Sequence, residues 1–162
     1  MDYNEIITKK IYNEHALMQQ LSIWRLQNQT LVFTNGCFDI LHLGHTQYLS
    51  HAKNYGDKLI LGLNSDKSGA CKKGPGRPLN NETARAMVLA SLHVVDAVIL
   101  FDEETPYNLI KLVQPDVLVK GADYEIEKIV GYDIVTQHGG KVVTIDLTQG
   151  YSTTALLNRI KQ

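Results

Sequence analysis

Residues 31–45 read LVFTNGCFDILHLGH, and this stretch decides the fold. Leu31–Thr34 is an apolar run long enough for a strand and too short for a helix. Asn35-Gly36 ends it, and the glycine lets the backbone come close to a ligand. Beyond the two histidines, Tyr48, Leu49, Ala52 and Tyr55 fall at helical spacing, with Gly56 suited to a C-cap. The order is strand, glycine turn, helix.

The same alternation continues outward. Apolar runs recur at Leu59–Leu63, Ala97–Phe101, Val117–Val119 and Val142–Ile145. Between them lie helical patterns. Ala84, Met87, Val88, Ser91 and Leu92 form an amphipathic stripe, with Asn80 or Asn81 as N-cap. Thr105-Pro106 reads as N-cap followed by proline at the first helical position. A segment from about Glu127 to His138 stops at Gly139-Gly140, and Ser152–Ile160 closes the chain. Strands alternating with helices predict right-handed crossovers and a doubly wound α/β fold. Its parallel sheet has five strands and helices on both faces. Leu17, Leu21 and Trp24 predict a further helix before the first strand, so residues 1–30 read as a helical extension and 31–162 as the main domain. That extension carries no motif and reads as a packing or dimerisation helix.

Length and composition narrow the function. The chain has 162 residues, 16 Lys and Arg against 17 Asp and Glu, and a formal net charge of −1. A near-neutral chain lacks the basic surface of a nucleic-acid binder. The densest apolar stretch, Val94–Phe101, is short and broken by Asp96, so no segment spans a membrane. The N-terminus MDYNEIITKK lacks the apolar core of a secretory signal. Two cysteines, Cys37 and Cys71, are too few for a disulfide scaffold, so the sequence predicts a reducing, cytoplasmic setting with no bridge.

In open parallel sheets, ligands bind beyond the carboxyl ends of the strands. The first such place holds His42 and His45, spaced by three, so both imidazoles lie on one side of a helical turn. A helix N-terminus there adds free N–H groups and partial positive charge. The combination suits phosphate, and Gly44 leaves room for it near the backbone. The spacing also suits metal ligation, with Cys37 as a third donor. However, no second Cys/His cluster completes a four-ligand set. The breaker-rich Lys67–Leu79 reads as a loop carrying Lys72, Lys73 and Arg77.

FTNGCFDILHLGH resembles the N-terminal motif of the His-x-Gly-His nucleotidyltransferase superfamily. More closely, the chain is similar to the D-glycero-β-D-manno-heptose 1-phosphate adenylyltransferases. The further motifs are Leu63-Asn64-Ser65-Asp66, Lys73-Gly74 with Arg77-Pro78, Asp116 to Tyr124, and Gly150-Tyr151-Ser152-Thr153-Thr154. No sugar-kinase sequence precedes them, so the likeness is to the stand-alone form. The resemblance implies a Rossmann-like, cytidylyltransferase-like fold, transfer of AMP from ATP to a heptose 1-phosphate, and magnesium as cofactor. The product, ADP-heptose, would serve a lipopolysaccharide core. Relatives of this kind are commonly homodimers or larger.

Carried onto this chain, the motif makes His42, His45 and Lys73 catalytic. Thr34, Asn35, Gly36 and Phe38, with Asp66, Arg77, Gly121, Asp123, Ser152, Thr153 and Thr154, would bind nucleotide and phosphate. Asp39, Lys72 and Arg85 are substrate candidates, two of them with a structural alternative: a turn cap for Asp39, a surface charge for Arg85. No residue is assigned to metal. Two departures stand out. The loop that often carries two arginines after Asn-Ser-Asp reads Ser68-Gly69-Ala70-Cys71-Lys72-Lys73 here. Glycerol-3-phosphate cytidylyltransferases carry an arginine three residues before the C-terminal glycine, where this chain has Leu147. A cytidylyltransferase acting on a polyol phosphate and a non-catalytic nucleotide-binding module remain the alternative readings.

Overall fold

Leu31–Gly36 is the central strand, β2, of a fully parallel sheet in a computed structural model that describes residues 2–71, 76–122 and 125–160. In chain order the other elements are α1 (Tyr3–Thr8), β1 (Ile11–Tyr12), α2 (Glu14–Leu26), α3 (Leu43–Lys53), β3 (Lys58–Asn64), α4 (Glu82–Ser91), β4 (Ala97–Phe101), α5 (Tyr107–Val113), β5 (Val117–Gly121), α6 (Tyr132–Gln137), β6 (Lys141–Ile145) and α7 (Thr153–Ile160). Single helical turns cover Gly69–Cys71 and Ile126–Lys128.

The strand order β1-β4-β3-β2-β5-β6 makes six strands rather than five. The additional strand is β1, whose Ile11 and Tyr12 pair with Val98 and Ile99 of β4 at the sheet edge. Two residues are too few for alternation to reveal a strand. Other boundaries also shift. Pro106 is itself the N-cap of α5, one residue later than the Thr105 expectation. The segment expected as one helix from Glu127 splits, because Gly131 takes a left-handed φ of 92° before α6 begins.

Side chains alternate across the sheet and build two cores. On one face Leu31 and Phe33 pack with Leu17, Leu21 and Trp24 of α2 and with Leu109, Ile110 and Val113 of α5. On the other, Val32, Leu59, Leu61 and Leu63 pack with Leu49 and Ala52 of α3 and with Leu89 and Ala90 of α4. Full burial of a leucine contributes about 1.5–3 kcal/mol. Leu17 and Leu21 are 0% and 1% exposed, so α2 is an integral cover for its face of the sheet. Among the described residues, no helix is long and apolar enough to cross a membrane.

The chain winds outward from β2 through β3 to β4, then returns to place β5 on the other side of β2. That reversal is a topological switch point. Here β2 and β5 are in register only at Val32↔Val117 and Phe33↔Leu118, whereas β2 and β3 stay paired through Gly36↔Leu63. The ends of β2 and β5 therefore diverge. Tyr48 of α3 fills the splay, its hydroxyl donating to the Val119 carbonyl at 3.2 Å and lying 2.8 Å from Thr34 Oγ1.

Parallel pairing of β2 with β3 also sets their carboxyl-end loops side by side. Cys37, just past β2, and Cys71, in the turn after β3, meet there and form a disulfide, contrary to the unbridged expectation. The 34 residues between them in sequence hid this proximity.

Candidate functional site

A cleft of about 630 Å³ opens over the diverging strand ends. Its walls come from the loop after β2, the start of α3, the turn after β3, the ends of β4 and β5, and the start of α7. His42 is the N-cap of α3 in extended conformation, and its carbonyl accepts from His45 N–H at 2.9 Å. This places both rings at the helix entrance, stacked with centroids 3.7 Å apart and 21° between planes. Phe38 holds a left-handed φ of 46°. In that uncommon conformation its ring lies over Gly36 and meets the His45 ring edge-on at 5.2 Å.

Both histidine Nδ1 atoms are buried without a hydrogen-bond partner. Burial holds the His42 pKa below the usual imidazole value. Burial and the neighbouring His42 push His45 down to about 4, against a smaller opposing effect of the Ile40 backbone. The pair is therefore neutral at pH 7 and can donate N–H groups to an anion. Gly44 is set beneath this pair. A Cβ there would lie 3.1 Å from His42 Cε1 and 3.3 Å from Tyr151 Cβ, so the missing side chain lets these neighbours pack close at the cleft wall.

Two helix entrances face the cleft. At the second, Ser152 Oγ accepts from Ala155 N–H at 3.0 Å and caps α7, while Ser152, Thr153 and Thr154 all line the wall. Thr148 Oγ1 donates to Gln47 Oε1 at 2.7 Å, tying the approach to α7 onto α3.

Asn35, Gly36, Phe38, Asp39, Arg77 and Gly121 also line the cleft. Asp39 is fully engaged within the protein. It accepts Arg77 Nε at 2.7 Å and the N–H groups of Leu79 and Asn80 at 2.8 and 3.0 Å. Burial alone would raise its pKa, but these hydrogen bonds and the Arg77 charge outweigh it and hold the carboxyl below the usual range. Asp39 thus fixes the loop and orients Arg77; the turn-cap alternative describes its geometry.

Three expected contacts are not brought to the cleft wall. Thr34 is 0% exposed, with its hydroxyl on Tyr48. Arg85 is 2% exposed and donates to the carbonyls of Cys37 (2.6 Å), Asn64 (2.8 Å) and Asn80 (3.0 Å) and to Asp66 Oδ1 (2.8 Å). Asp66 additionally accepts from Glu82 N–H at 3.0 Å, where it joins the start of α4 to the β3 loop. Arg85 is thus a buried brace, off the cleft wall and not an exposed surface charge, and it holds the part-exposed Asp66 carboxylate. Lys72, Lys73 and Asp123 lie outside the described residues.

Lys120 was missed. It ends β5, lines the cleft, and its Nζ donates to Asn35 Oδ1 across the diverging strands. The signal in the sequence was its position directly after an apolar run, where side chains reach the ligand side of such sheets. Glu104 and Leu147 also line the wall without having been singled out as contacts.

A doubly wound parallel sheet with paired histidines at the first helix entrance defines the nucleotidyltransferase class. Residues 33–159 match the cytidylyltransferase-like family, and the chain belongs to it. It is 54% identical over 143 residues to the bifunctional protein HldE of Nitrobacter hamburgensis, covering 88% of this chain and 29% of that protein. To the bifunctional protein HldE of Magnetococcus marinus it is 50% identical over 151 residues, covering 93% and 31%. The chain thus spans under a third of the length of these curated relatives.

Among solved structures, the lipopolysaccharide core biosynthesis protein from Thermoplasma volcanium is similar with a TM-score of 0.60 and 28% identity, over 76% of this chain and 99% of that one. Pantoate-beta-alanine ligase from Francisella tularensis shares the fold, with a TM-score of 0.62 at 17% identity, over 86% of this chain and 67% of that one.

Proposed function

We propose that the chain transfers AMP from ATP to D-glycero-β-D-manno-heptose 1-phosphate, giving ADP-heptose and pyrophosphate. The observation that carries this reading is the stacked His42–His45 pair at the entrance of α3, in a cleft that the start of α7 also lines. Similarity to bifunctional HldE proteins and to a lipopolysaccharide core biosynthesis protein supports an activated sugar for that core as the product. Leu147 in the cleft wall offers no cation where the polyol-phosphate cytidylyltransferases carry one, which favours the sugar phosphate.

In the reaction, a sugar-phosphate oxygen attacks the α-phosphorus and the bond to the pyrophosphate oxygen breaks. The attacking phosphate has a second pKa of about 6, so it is already ionised at pH 7 and requires no strong base. The protein's task is alignment and charge stabilisation. His42 and His45 donate to the phosphate oxygens, and an anion beside them favours their protonated forms. Lys120, held by Asn35, meets the α-phosphate, and Arg77, oriented by Asp39, meets the leaving group. Ser152–Thr154 at the start of α7 present hydroxyl and N–H groups to the remaining oxygens. Lys72 and Lys73 add cations from the loop, and Gly36, Phe38, Gly121 and Asp123 border the nucleotide.

Among the described residues, no group of three His, Cys, Asp or Glu converges to hold a metal ion. Magnesium takes most of its ligands from water and substrate phosphates rather than from an all-protein cage, and no step is routed through it. Magnesium enters bound to the triphosphate, as part of the substrate. We place the reaction in the cytoplasm, in a homodimer or larger assembly, without nucleic acid or membrane as partner.

A pyrophosphate-release panel tests the reading by crossing ATP and CTP with heptose 1-phosphate, other sugar phosphates and glycerol 3-phosphate. Release with ATP and heptose 1-phosphate is expected. Release only with CTP and glycerol 3-phosphate reassigns the chain as a polyol-phosphate cytidylyltransferase. ATP binding without product from any acceptor assigns a non-catalytic module.

A further inference from the structure

The Cys37–Cys71 bridge ties together two walls of the cleft. Cys37 and Cys71 both line it, as does Ala70 beside the bridge. The two ends are anchored unequally. At Cys37 the backbone is held independently of sulfur, because buried Arg85 donates to its carbonyl at 2.6 Å and braces Asn64, Asn80 and Asp66 at once. At Cys71 the holds are weak. Ser68, three residues earlier, is anchored by Asn64 Nδ2 at 3.1 Å and by the Glu103 carbonyl at 3.0 Å. Beyond it, the turn keeps Cys71 N–H to Ser68 O at 3.3 Å and a 3.8 Å contact of the Cys71 sulfur with the Asn64 carbonyl. Among the described residues, the next side-chain anchor downstream is Arg77 on Asp39. The disulfide is thus the firm tie between the Gly69–Cys71 turn and the rest of the site.

We propose that Cys37–Cys71 is a reversible redox modification site that sets nucleotide affinity through the Gly69–Cys71 wall of the cleft. Disulfides in reducing compartments are usually transient, and catalytic or redox-sensing. This one also lies where a reductant can reach it, since part-buried Cys37 lines the cleft while Cys71 is buried. A dithiol reductant attacks Cys37 Sγ and forms a mixed disulfide, and the Cys71 thiolate leaves and takes a proton. The second thiol of the reductant then displaces Cys37, which is protonated in turn. Two electrons and two protons pass to the protein, and the reductant leaves as a cyclic disulfide.

The oxidised form has the wall pre-positioned against the Arg85-braced loop. In the reduced form the turn is free to move, and nucleotide binding must order it at a cost in affinity. Binding and bridge formation are then reciprocally coupled. If oxidation tightens nucleotide binding about tenfold, saturating nucleotide makes the bridge harder to reduce by the same factor, or about 30 mV for a two-electron couple. The coupling rests on the reading of the cleft as a nucleotide site.

The test uses the full chain. Alkylation with and without prior reduction, followed by mass spectrometry, gives the bridged fraction across a dithiol redox titration, with and without ATP. Calorimetry gives ATP affinity for the oxidised protein, the dithiothreitol-reduced protein and Cys71→Ser. Oxidised protein binding ATP about tenfold more tightly, Cys71→Ser matching the reduced form, and an ATP-dependent drop of about 30 mV in potential are expected. Free alkylation of both cysteines at every point of the titration, its oxidising end included, overturns the proposal. Equal ATP affinity in both redox states of the wild type overturns it too, whatever the variant's stability. Absence of ATP binding in both states overturns the nucleotide reading itself, and the coupling with it.

Discussion

The imidazoles of His42 and His45 lie face to face, 3.7 Å apart at their centroids, with both Nδ1 atoms buried and without partners. Such closeness is compatible with neutral rings and hostile to two charged ones. An anion bound beside the rings would favour their protonated forms. His42→Ala or His45→Ala should therefore lower turnover by about two to three orders of magnitude, the range of a lost charge-stabilising donor. An unchanged circular dichroism spectrum would show that the fold persists. Steady-state pyrophosphate release checks the turnover, and wild-type rates in either variant would remove the phosphate role.

The pKa of His45 gives a pH signature. Its folded value, about 4, lies below the ordinary 6.5. Between those values the unfolded chain binds a proton that the folded protein does not, so stability is fully present above about 6.5 and falls as pH drops toward 4. Urea midpoints should decline across that window, and His45→Gln should flatten the decline. Proton NMR should place the His45 titration near 4 in free protein and move it upward when ATP is added. A titration at 6.5 in the free protein would contradict the burial argument.

Lys120 and Asn35 bridge the diverging ends of β2 and β5. Lys120→Ala should cost about ten- to a thousandfold in kcat/KM, with most of the loss in kcat if the ammonium meets the α-phosphate in the transition state. Lys120→Arg should recover part of it. A loss confined to KM would instead make Lys120 a ground-state binder.

Arg85 serves the fold. Removing its side chain takes a donor from the buried Asn64 carbonyl and from the part-buried Cys37 and Asn80 carbonyls. Arg85→Ala should destabilise by about 1–3 kcal/mol, the range for leaving a buried hydrogen-bonding group unsatisfied. Arg85→Lys should recover little, because a single ammonium cannot span the same fork of acceptors. Chemical denaturation checks the magnitude, and a change below about 1 kcal/mol would show that the brace contributes little.

Much of this site was legible in the residues between Leu31 and His45 because strand, glycine turn and helix entrance follow one another locally. Apolar runs located the five longer strands, spacing and caps located the helices other than α1 (Tyr3–Thr8), and the rule about carboxyl ends of strands directed attention to the right loops. It could not separate a side chain pointing into the cleft from one pointing into the core beneath it. Arg85 and Asp66 satisfied every local criterion for a ligand contact, yet they bind each other and the backbone. Lys120 was passed over because its meaning depends on β5 lying next to β2, a pairing that spans 85 residues of sequence. The bridge between Cys37 and Cys71 was hidden for the same reason.

The packing of α2 has a practical consequence for anyone cutting this chain. Leu17, Leu21 and Trp24 cover Leu31, Phe33, Ile60 and Ile99. A fragment starting at Leu31 would retain every residue proposed to touch substrate and still present one bare apolar side of its sheet to water. Such a fragment should clump rather than catalyse. The smallest piece worth expressing begins ahead of Ile11, so that it keeps the edge strand as well as the cover.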